Sequence, residues 1–358
     1  MISNIKINGL KSIDALEIKL NPFTMLTGMN SSGKSTVIQA LLLAIQNINE
    51  THQSPLNGEL TALGSFTDAA NFRVNSKVIE LEFEGNYKGK NGCLNIKIKE
   101  DEEKVVCLFE CDNDEFKSYF FRDGHIRYIS AHRLGAQDTY FKNYSYQNEM
   151  GSLSEFVMDF YEHNKNNVIE KSLMKDPDIG ETLELHTNYW MEYIVNANIS
   201  TEDIEGTDIV KARFNYTGNR SVRPKNIGSG LSYIVSIIIS VLSSKSGDLL
   251  IIENPEIHLH PRAQSKLTEL FAFAASKNIR FIIETHSDHI FNGIRKSIFK
   301  DIIKVSEVAV YFFELDSYQS VSTLVEFYEN GNVVNHQNGL FDQFDDDLDE
   351  LLELKSWS

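Results

Sequence analysis

The stretch that decides the fold reads GMNSSGKST over residues Gly28–Thr36 and fits the pattern G-x-x-x-x-G-K-[ST]. The run before it, FTMLT at residues 23–27, is short and apolar, which is typical of a buried parallel strand. Residues 37–48 follow without glycine or proline and have helical length and composition. A strand, a glycine-containing loop and a helix start in this order predict a phosphate-binding loop, and hence binding of a nucleoside triphosphate.

The chemistry of such a loop assigns roles to its residues. Backbone N–H groups point at phosphate oxygens, and the helix dipole adds positive potential. Lys34 would reach the β- and γ-phosphates, and Ser35 would place its hydroxyl on Mg²⁺. The predicted cofactors are therefore ATP and Mg²⁺. The predicted phosphate-binding residues are Asn30, Ser31, Ser32, Gly33, Lys34, Ser35 and Thr36.

Length and composition narrow the class of protein. A chain of 358 residues is long for one compact domain, so a core with an insertion, or two domains, is expected. The first twenty residues alternate like a strand and lack the pattern of a signal peptide. The longest apolar stretch, residues 233–242, is too short to span a bilayer. We therefore expect a soluble, cytoplasmic protein with no membrane partner, whose three cysteines are reduced thiols.

The charge distribution bears on nucleic-acid binding. With 34 basic and 51 acidic residues the net charge is −17, so any contact with nucleic acid would be local. Residues 211–225 are the local candidate, because they carry five basic residues and no acid. The simpler interpretation of this segment is a solvated strand pair. Seven acids lie between Asp342 and Glu353, where interspersed leucines, including Leu348, Leu351 and Leu354, predict an amphipathic helix.

The order of the predicted elements divides the chain into four parts. Residues 1–149 contain the phosphate loop and then antiparallel strands over 76–130. Residues 150–210 form a helical insertion. Residues 211–315 return to alternating helices and strands, and residues 316–358 form an acidic C-terminal segment.

Three further strings have the character of nucleotide-site motifs. The apolar run DLLII at residues 248–252 leads to Glu253-Asn254-Pro255-Glu256, and a strand ending in an acid suits Mg²⁺ positioning. A second apolar run, at 281–283, leads to Glu284-Thr285-His286-Ser287-Asp288. Before both, the turn Gly228-Ser229-Gly230 opens a helix and is another potential phosphate cradle.

In this order, with an insertion after the phosphate loop, these strings resemble the heads of ABC-type ATPases. The most similar group includes the structural-maintenance-of-chromosomes (SMC) proteins and the overcoming-lysogenization-defect ATPases. Within it, Glu253–Pro261 and Glu284–Arg295 resemble a family of stand-alone bacterial AAA ATPases whose acidic C-terminal segment carries a GLFDQF-like string, here Gly339–Phe344. Such proteins are often linked to phage defence. The resemblance implies an α/β fold: an ABC-ATPase-like P-loop head with an antiparallel β subdomain and a helical insertion.

The resemblance also implies a metal site and a composite site. Glu253 matches the Walker B acid and would hold Mg²⁺ together with Ser35. Ser229 and Gly230 match the turn that, in ABC dimers, contacts the γ-phosphate bound to the opposite subunit. A homodimer, or a higher oligomer built from it, is therefore implied.

Other positions match supporting elements of these heads. His286 matches the switch histidine that senses the γ-phosphate, and Lys11 matches a basic residue that contacts phosphates. Leu259 and His260 fall where the D-loop lies. A Q-loop glutamine has no clear match, and residues 63–68 are the nearest neighbourhood for it.

Two departures from the pattern concern catalysis. Glu253 replaces the usual Asp, and Asn254 stands where many ABC enzymes have the catalytic Glu. Because an amide cannot accept a proton from water, the general base is either Glu256 or absent, and ATP hydrolysis is expected to be slow. The predicted catalytic set is Glu253, Asn254, Glu256 and His286.

Two groups of residues have competing interpretations. His258, His260 and the segment 286–289 have spacings that suit a zinc hydrolase, but that hypothesis leaves the phosphate loop unexplained. Arg133 follows a predicted strand and is either a nucleotide-facing arginine or part of a structural ion pair.

Three classes of function fit these observations. The first is an ATP-driven dimerisation switch that controls a separately encoded effector, such as a nuclease or toxin, in antiphage defence. The alternative is an SMC-like ATPase that acts directly on DNA in repair or recombination. The third is an ATP-binding scaffold with little hydrolysis. The acidic net charge, the short insertion and the short C-terminal segment favour the switch.

Overall fold

The structure, a computed structural model, describes residues 1–49, 54–102, 104–121, 125–144, 149–216, 220–226, 228 and 230–352. For residues 216, 220, 221 and 343–346 it describes the backbone alone. The strands are β1 (Ile2–Leu10), β2 (Ile13–Lys19), β3 (Phe23–Gly28), β4 (Val78–Tyr87), β5 (Lys90–Asp101), β6 (Lys104–Cys111), β7 (Ile126–Ile129), β8 (Thr139–Phe141), β9 (Ala197–Asp203), β10 (Ile209–Tyr216), β11 (Arg220–Val222), β12 (Leu249–Glu253), β13 (Arg280–Glu284), β14 (Val308–Asp316) and β15 (Gln319–Val325). The α-helices are α1 (Lys34–Asn49), α2 (Phe66–Ala69), α3 (Asp114–Ser118), α4 (Val157–Asn164), α5 (Leu183–Val195), α6 (Gly230–Leu242), α7 (Pro261–Ala275), α8 (Asp288–Phe299) and α9 (Gln343–Leu351).

A six-stranded sheet in the order β15-β14-β3-β13-β12-β7 organises the nucleotide site. All neighbouring pairs in it are parallel except β14 with β15, which form an antiparallel hairpin. Its central strands are almost continuously apolar and buried, as expected for strands covered on both faces. The predicted α/β fold is therefore confirmed.

The two faces of this sheet belong to two hydrophobic clusters. Along β12, Leu250 and Ile252 pack into one cluster and Ile251 into the other, because successive side chains of a strand point to opposite faces. The first cluster includes the buried sides of α5, α6, α7 and α8. The second includes α1 and the apolar face of the antiparallel sheet. The helix that begins at the phosphate loop is thus held between two sheets.

The antiparallel sheet has the order β2-β1-β4-β5-β6. Its strands β4, β5 and β6 match the antiparallel strands predicted over residues 76–130, but residues 114–118 of that range form α3. Residues 126–129 form β7, which leaves this sheet and pairs parallel with β12 in the central one. Period-two alternation does not distinguish these two placements, because both sheets accept a short apolar strand.

Two predicted segments differ in content from what was expected. Residues 150–210 contain α4 and α5, but residues 197–203 form β9, which pairs with β10 in a smaller sheet. The alternating burial of Ala197, Ile199 and Thr201 explains a strand there. The acidic segment expected from residue 316 begins inside the β14–β15 hairpin, so the central sheet extends past that boundary.

The acidic end forms the predicted helix only in part of its length. Helix α9 ends at Leu351, and Leu348 and Leu351 are exposed. Leu354 lies outside the described residues. In the described part of the chain, no helix combines the length and apolar character that crossing a bilayer requires.

The packing of β14 against the phosphate loop gives a stability prediction. A Cβ at Gly28 (φ 127°) would lie 2.0 Å from the Phe313 carbonyl oxygen, whereas one at Gly89 (φ 81°) would meet nothing within 4 Å. Gly89→Ala should cost about 1–2 kcal/mol from backbone conformation alone. Gly28→Ala should cost about 1–3 kcal/mol more, because β14 must move. Urea unfolding of both variants measures the difference, and equal losses would contradict this packing.

Candidate nucleotide site

A polar cavity of about 290 Å³ lies where β3 passes into α1. It opens at the edge where the parallel strands end, which is where ligands bind in open α/β sheets. Most of the predicted phosphate-binding residues meet in it, together with the predicted switch histidine. Its lining consists of Lys11, Ser12, Ser31, Ser32, Gly33, Lys34, Ser35, Thr36, Gln39, Glu284 and His286.

The loop itself is held by its neighbours in the sheet. Ser31 has φ 60° and Gly33 has φ 103°, and the Ser32 hydroxyl donates a hydrogen bond to the Met29 carbonyl at 2.7 Å. A Cβ at Gly33 would lie 2.3 Å from the Ser320 hydroxyl. Glycine is therefore required there for both backbone conformation and space. This packing fixes the curvature that turns successive N–H groups toward the cavity.

Lys34 is the buried cation of the site. It is only 3% exposed, and its ammonium donates to the carbonyl oxygens of Gly28 at 3.0 Å and Met29 at 2.5 Å. Burial lowers the pKa of Lys34, and the charge of Glu284 opposes that shift. An ammonium has three donors, so one remains for an anion that enters the cavity.

Glu284 is a site residue that the sequence analysis missed. It is 5% exposed, and its Oε1 accepts a hydrogen bond from the Ser35 hydroxyl at 2.7 Å. Its Oε2 is buried and has no hydrogen-bond partner among the described residues. Burial raises the pKa of Glu284, the bond from Ser35 opposes this, and Glu253 adds to the rise. A buried carboxylate with a free oxygen beside a phosphate loop suits a hard cation.

Glu253, the predicted Walker B acid, lies one strand farther from the loop. It is the register partner of Glu284 across β12 and β13. Its Oε2 accepts hydrogen bonds from the Tyr128 hydroxyl at 3.0 Å and from the N–H of Ala131 at 3.2 Å. The structure thus turns this oxygen toward β7 and places the Ser35 hydroxyl against Glu284.

Two of the remaining predicted catalytic residues, Asn254 and Glu256, lie in the turn after β12, and the third, His286, follows β13. Asn254 has φ 43°, and its N–H donates to the Glu284 carbonyl at 2.8 Å. Glu256 Oε1 accepts from the backbone N–H of His286 at 3.0 Å, and its Oε2 is buried without a partner among the described residues. Burial lowers the pKa of His286, and the charge of Lys34 lowers it further. These effects favour the neutral imidazole of His286, although the charge of Glu256 opposes them.

Arg133 supports this turn from behind. It is 1% exposed and donates to the carbonyl oxygens of Glu253 and Asn254, each at 3.0 Å. Its guanidinium also lies over the Tyr233 ring, 5.2 Å from the centroid. These contacts fit neither the nucleotide-facing arginine nor the carboxylate ion pair that the sequence left open. Arg133 thus holds the backbone segment that carries the side chains of Glu253 and Glu256.

The predicted signature-like turn lies apart from the phosphate cavity. Gly230 begins α6, and a Cβ there would lie 2.5 Å from the carbonyl oxygen of His258. The segment after β12 therefore packs on this turn. Ser229 lies outside the described residues. In the same segment Leu259 is buried, and His260 caps α7 by accepting from the Arg262 N–H at 3.2 Å.

Residues 63–68, proposed as the neighbourhood of a Q-loop, contain a capping box between Ser65 and Asp68. They contact the site only indirectly, since the Ala69 carbonyl that follows accepts from the Lys11 N–H at 2.8 Å. The segment that reaches Glu253 is 128–131, at the end of β7. Its signal in the sequence was the short strand before Arg133.

The zinc-hydrolase interpretation has no geometric support in the described residues. No three His, Cys, Asp or Glu side chains among them are grouped as metal ligands would be. The site is instead a polar cavity lined by the phosphate loop, with Lys34, Glu284 and the Ser35 hydroxyl close together.

Comparison with known proteins agrees with this geometry. A model of the family described as "AAA domain, putative AbiEii toxin, Type IV TA system" matches residues 23–292. A second model, "Protein of unknown function (DUF3696)", matches residues 303–351. No curated protein matches the sequence.

Solved structures of SMC heads share the fold. The SMC head domain from Thermotoga maritima has a TM-score of 0.50 at 11% identity and covers 91% of this chain and 99% of its own. An SMC head bound to the C-terminal winged-helix domain of ScpA gives 0.57 at 13%, covering 91% and 98%. The Pyrococcus furiosus SMC head with an extended coiled coil, bound to the C-terminal domain of ScpA, gives 0.58 at 10%, covering 99% of each chain.

The family match spans most of the chain and contains the phosphate loop, Glu253, Glu284 and His286. The chain therefore belongs to the AAA-domain family described as putative AbiEii toxin of a type IV toxin–antitoxin system, with the fold of an SMC-like P-loop ATPase head.

Proposed function

We propose that this protein binds and slowly hydrolyses ATP with Mg²⁺, and that nucleotide-driven dimerisation controls a separate effector protein. The observation that carries the proposal is the cavity in which buried Lys34 and the bonded pair Ser35–Glu284 lie together at the phosphate loop. Such an arrangement supplies one cation for phosphate oxygens and one anionic oxygen site for a metal. The loop N–H groups complete the phosphate cradle.

The residues present fit Mg²⁺. The donor set at the base of the cavity is all oxygen: the Ser35 hydroxyl and the Glu284 carboxylate, whose Oε2 is buried and unpaired among the described residues. The ion would neutralise charge on the β- and γ-phosphates. Ser35 and Glu284 would hold it from the loop side, with Glu253 behind them across the β12–β13 register.

Glu256 is the best candidate for the general base. The amide of Asn254 cannot take a proton, whereas the carboxylate of Glu256 lies against the backbone of His286 at the cavity. Neutral His286 would orient a γ-phosphate or an attacking water by hydrogen bonding. Glu256 Oε1 already accepts a hydrogen bond from an N–H group, so only its buried Oε2 is left to take a proton from water, and turnover would be slow.

Dimerisation would complete the site. Gly228 and Gly230 lie outside the cavity lining, and Gly230 packs against the backbone of His258 in the segment after β12. Placed across a two-fold axis, this turn would meet the γ-phosphate bound by the partner copy. The link to an effector draws support from the toxin–antitoxin description of the family and from the bound ScpA domains of the similar SMC heads.

Direct action on DNA is the second candidate. Arg213, Arg223 and Lys225 are exposed in and after the β10–β11 pair, as a local contact would require. The net charge of −17 opposes general binding to a polyanion, so this candidate ranks below the switch.

Lys34→Ala should abolish measurable ATP binding, because it removes the buried cation of the loop. Lys88→Ala, in the turn between β4 and β5, is the control and should bind like the wild type. Isothermal titration calorimetry measures both. Equal affinity of Lys34→Ala and the wild type would refute the assignment of the cavity.

Glu284→Gln should remove the gain in ATP affinity that Mg²⁺ provides, because a charge-assisted contact worth about 1.5–3 kcal/mol is lost. The expected weakening is about ten- to hundredfold in Mg²⁺, with no weakening in EDTA. Glu326→Gln, which changes an exposed acid, is the matched control. Equal Mg²⁺ dependence in wild type and Glu284→Gln would assign the metal to other residues.

Ser229→Arg should bind ATP normally and fail to hydrolyse it, because it places bulk where the partner's γ-phosphate must lie. Mixing it with Lys34→Ala should restore about one composite site per heterodimer, since each variant spoils a different half. Phosphate release from the mixture measures this. Inactivity of confirmed heterodimers, or lost ATP binding by Ser229→Arg alone, would contradict the composite site.

A further inference from the structure

Beside the phosphate cavity lies an exposed group of two aromatic rings and one arginine that no role described so far uses. Tyr318 is 74% exposed and Phe72 is 78% exposed. Arg73, next to Phe72, is far from Tyr318 in the sequence. Its guanidinium nevertheless lies over the Tyr318 ring, 5.8 Å from the ring centroid. We call Phe72, Arg73 and Tyr318 the aromatic rim.

Tyr318 is fixed to the phosphate loop through its hairpin. β14 runs parallel to β3 with Phe313 opposite Gly28, so the turn after β14 projects beyond the edge where the loop begins. Two residues after Tyr318, the N–H of Ser320 donates to the Ser12 carbonyl at 2.8 Å. The hydroxyls of Ser320 and Ser12 are 2.7 Å apart. Ser12 lines the cavity, so this turn is hydrogen-bonded to a residue of the cavity wall.

Phe72 and Arg73 are fixed to the same wall from the other side. The Asn71 N–H donates to the Gly9 carbonyl at 2.9 Å, next to the Lys11–Ser12 corner that lines the cavity. The side chain of Asn71 is buried and accepts from the Arg73 N–H at 3.0 Å. This hydrogen bond to a buried side chain fixes the position of the turn that carries Phe72 and Arg73. The rings are thus presented by anchored loops.

The Tyr318 turn is also conformationally costly. Ser317 has φ 52° and Tyr318 has φ 67°, two consecutive left-handed residues without glycine. Each costs about 1–2 kcal/mol, and no burial of the Tyr318 ring offsets it. Two left-handed residues between paired antiparallel strands are the geometry of a type I′ hairpin turn, which fixes where Tyr318 is presented.

We infer that the aromatic rim holds the base of the nucleotide whose triphosphate occupies the cavity. The inference rests on the proposed function, since the phosphate loop must bind a nucleotide. A triphosphate anchored at residues 31–36 leads out of the cavity past Lys11 and Ser12, the corner to which both loops are tied. Tyr318 stacks on the base, and Arg73 braces the Tyr318 ring from its other face. Stacking contacts the flat face of the base, which adenine and guanine share, so ATP and GTP bind with similar affinity.

The test compares ATP with inorganic triphosphate, which has the phosphates but no base. Stacking of a base on an aromatic side chain is worth about 1–3 kcal/mol, so Tyr318→Ala should weaken ATP about five- to 150-fold. It should leave inorganic triphosphate unchanged, and Tyr318→Phe should keep wild-type affinity for both. Tyr328→Ala is the control, because Tyr328 is 57% exposed but its turn is closed by hydrogen bonds with Gly331 and Asn332, whereas the Tyr318 hairpin is bonded to Ser12 of the cavity lining.

The outcomes separate the two claims. If Tyr318→Ala binds ATP like the wild type, or weakens ATP and inorganic triphosphate equally, the base lies elsewhere although the phosphate loop works. The same conclusion follows if GTP binds far more weakly than ATP, since stacking alone does not discriminate. If the wild type binds neither ligand, the proposed function itself fails. Loss of an oligomer in Tyr318→Ala with unchanged ATP affinity would assign the rim to a protein contact instead.

Discussion

The parallel register of β3, β13 and β12 is the constraint on which the site depends. It ends three strands at one edge, so that the phosphate loop follows the first, Glu284 ends the second and Glu253 ends the third. A one-residue slip would turn each acid to the opposite face of the sheet. The apolar, doubly buried strands make such a slip costly, because every core side chain would move with it. Core packing therefore sets the geometry of the polar residues.

The same edge concentrates charges that are poorly solvated. Lys34 and Glu284 are both buried. Burial lowers the pKa of Lys34 and raises the pKa of Glu284, which favours the neutral form of each. Their mutual attraction opposes both shifts, while Glu253 and Glu256 add negative potential beside Glu284. An incoming metal with a polyphosphate would supply opposite charge to both members of the pair. The site is thus stabilised by the ligand that it is built to bind, a form of linkage between binding and stability.

Most of the fold was predictable because its signals are local. The phosphate loop has a fixed pattern, and the apolar runs at residues 248–252 and 281–283 closely match β12 and β13. β7 and β9 were not placed correctly. The alternation of a short segment indicates a strand but does not indicate which other strand it pairs with. Glu284 was missed for a related reason: its relation to Ser35 arises only when β13 lies between β3 and β12.

The roles of Arg133 and residues 128–131 also required three dimensions. An arginine that binds backbone carbonyls has the same sequence context as one that binds a phosphate or a carboxylate. The sequence analysis placed the Q-loop neighbourhood at residues 63–68, after α1. The residues that contact Glu253 lie instead at the end of β7, about sixty residues later. Residue roles could be predicted where a motif is contiguous in the sequence. They could not be predicted where the site brings together residues from separate strands.

A crystal structure of the protein with Mg²⁺ and a non-hydrolysable ATP analogue tests the central claim most directly. The account predicts two copies related by a two-fold axis, with each triphosphate in the loop of one copy and against the Gly228–Gly230 turn of the other. It also predicts the metal on the Ser35 hydroxyl beside Glu284. A nucleotide bound in the cavity of a single copy, with that turn facing solvent, would contradict the dimerisation switch. An analogue bound anywhere else would contradict the nucleotide site.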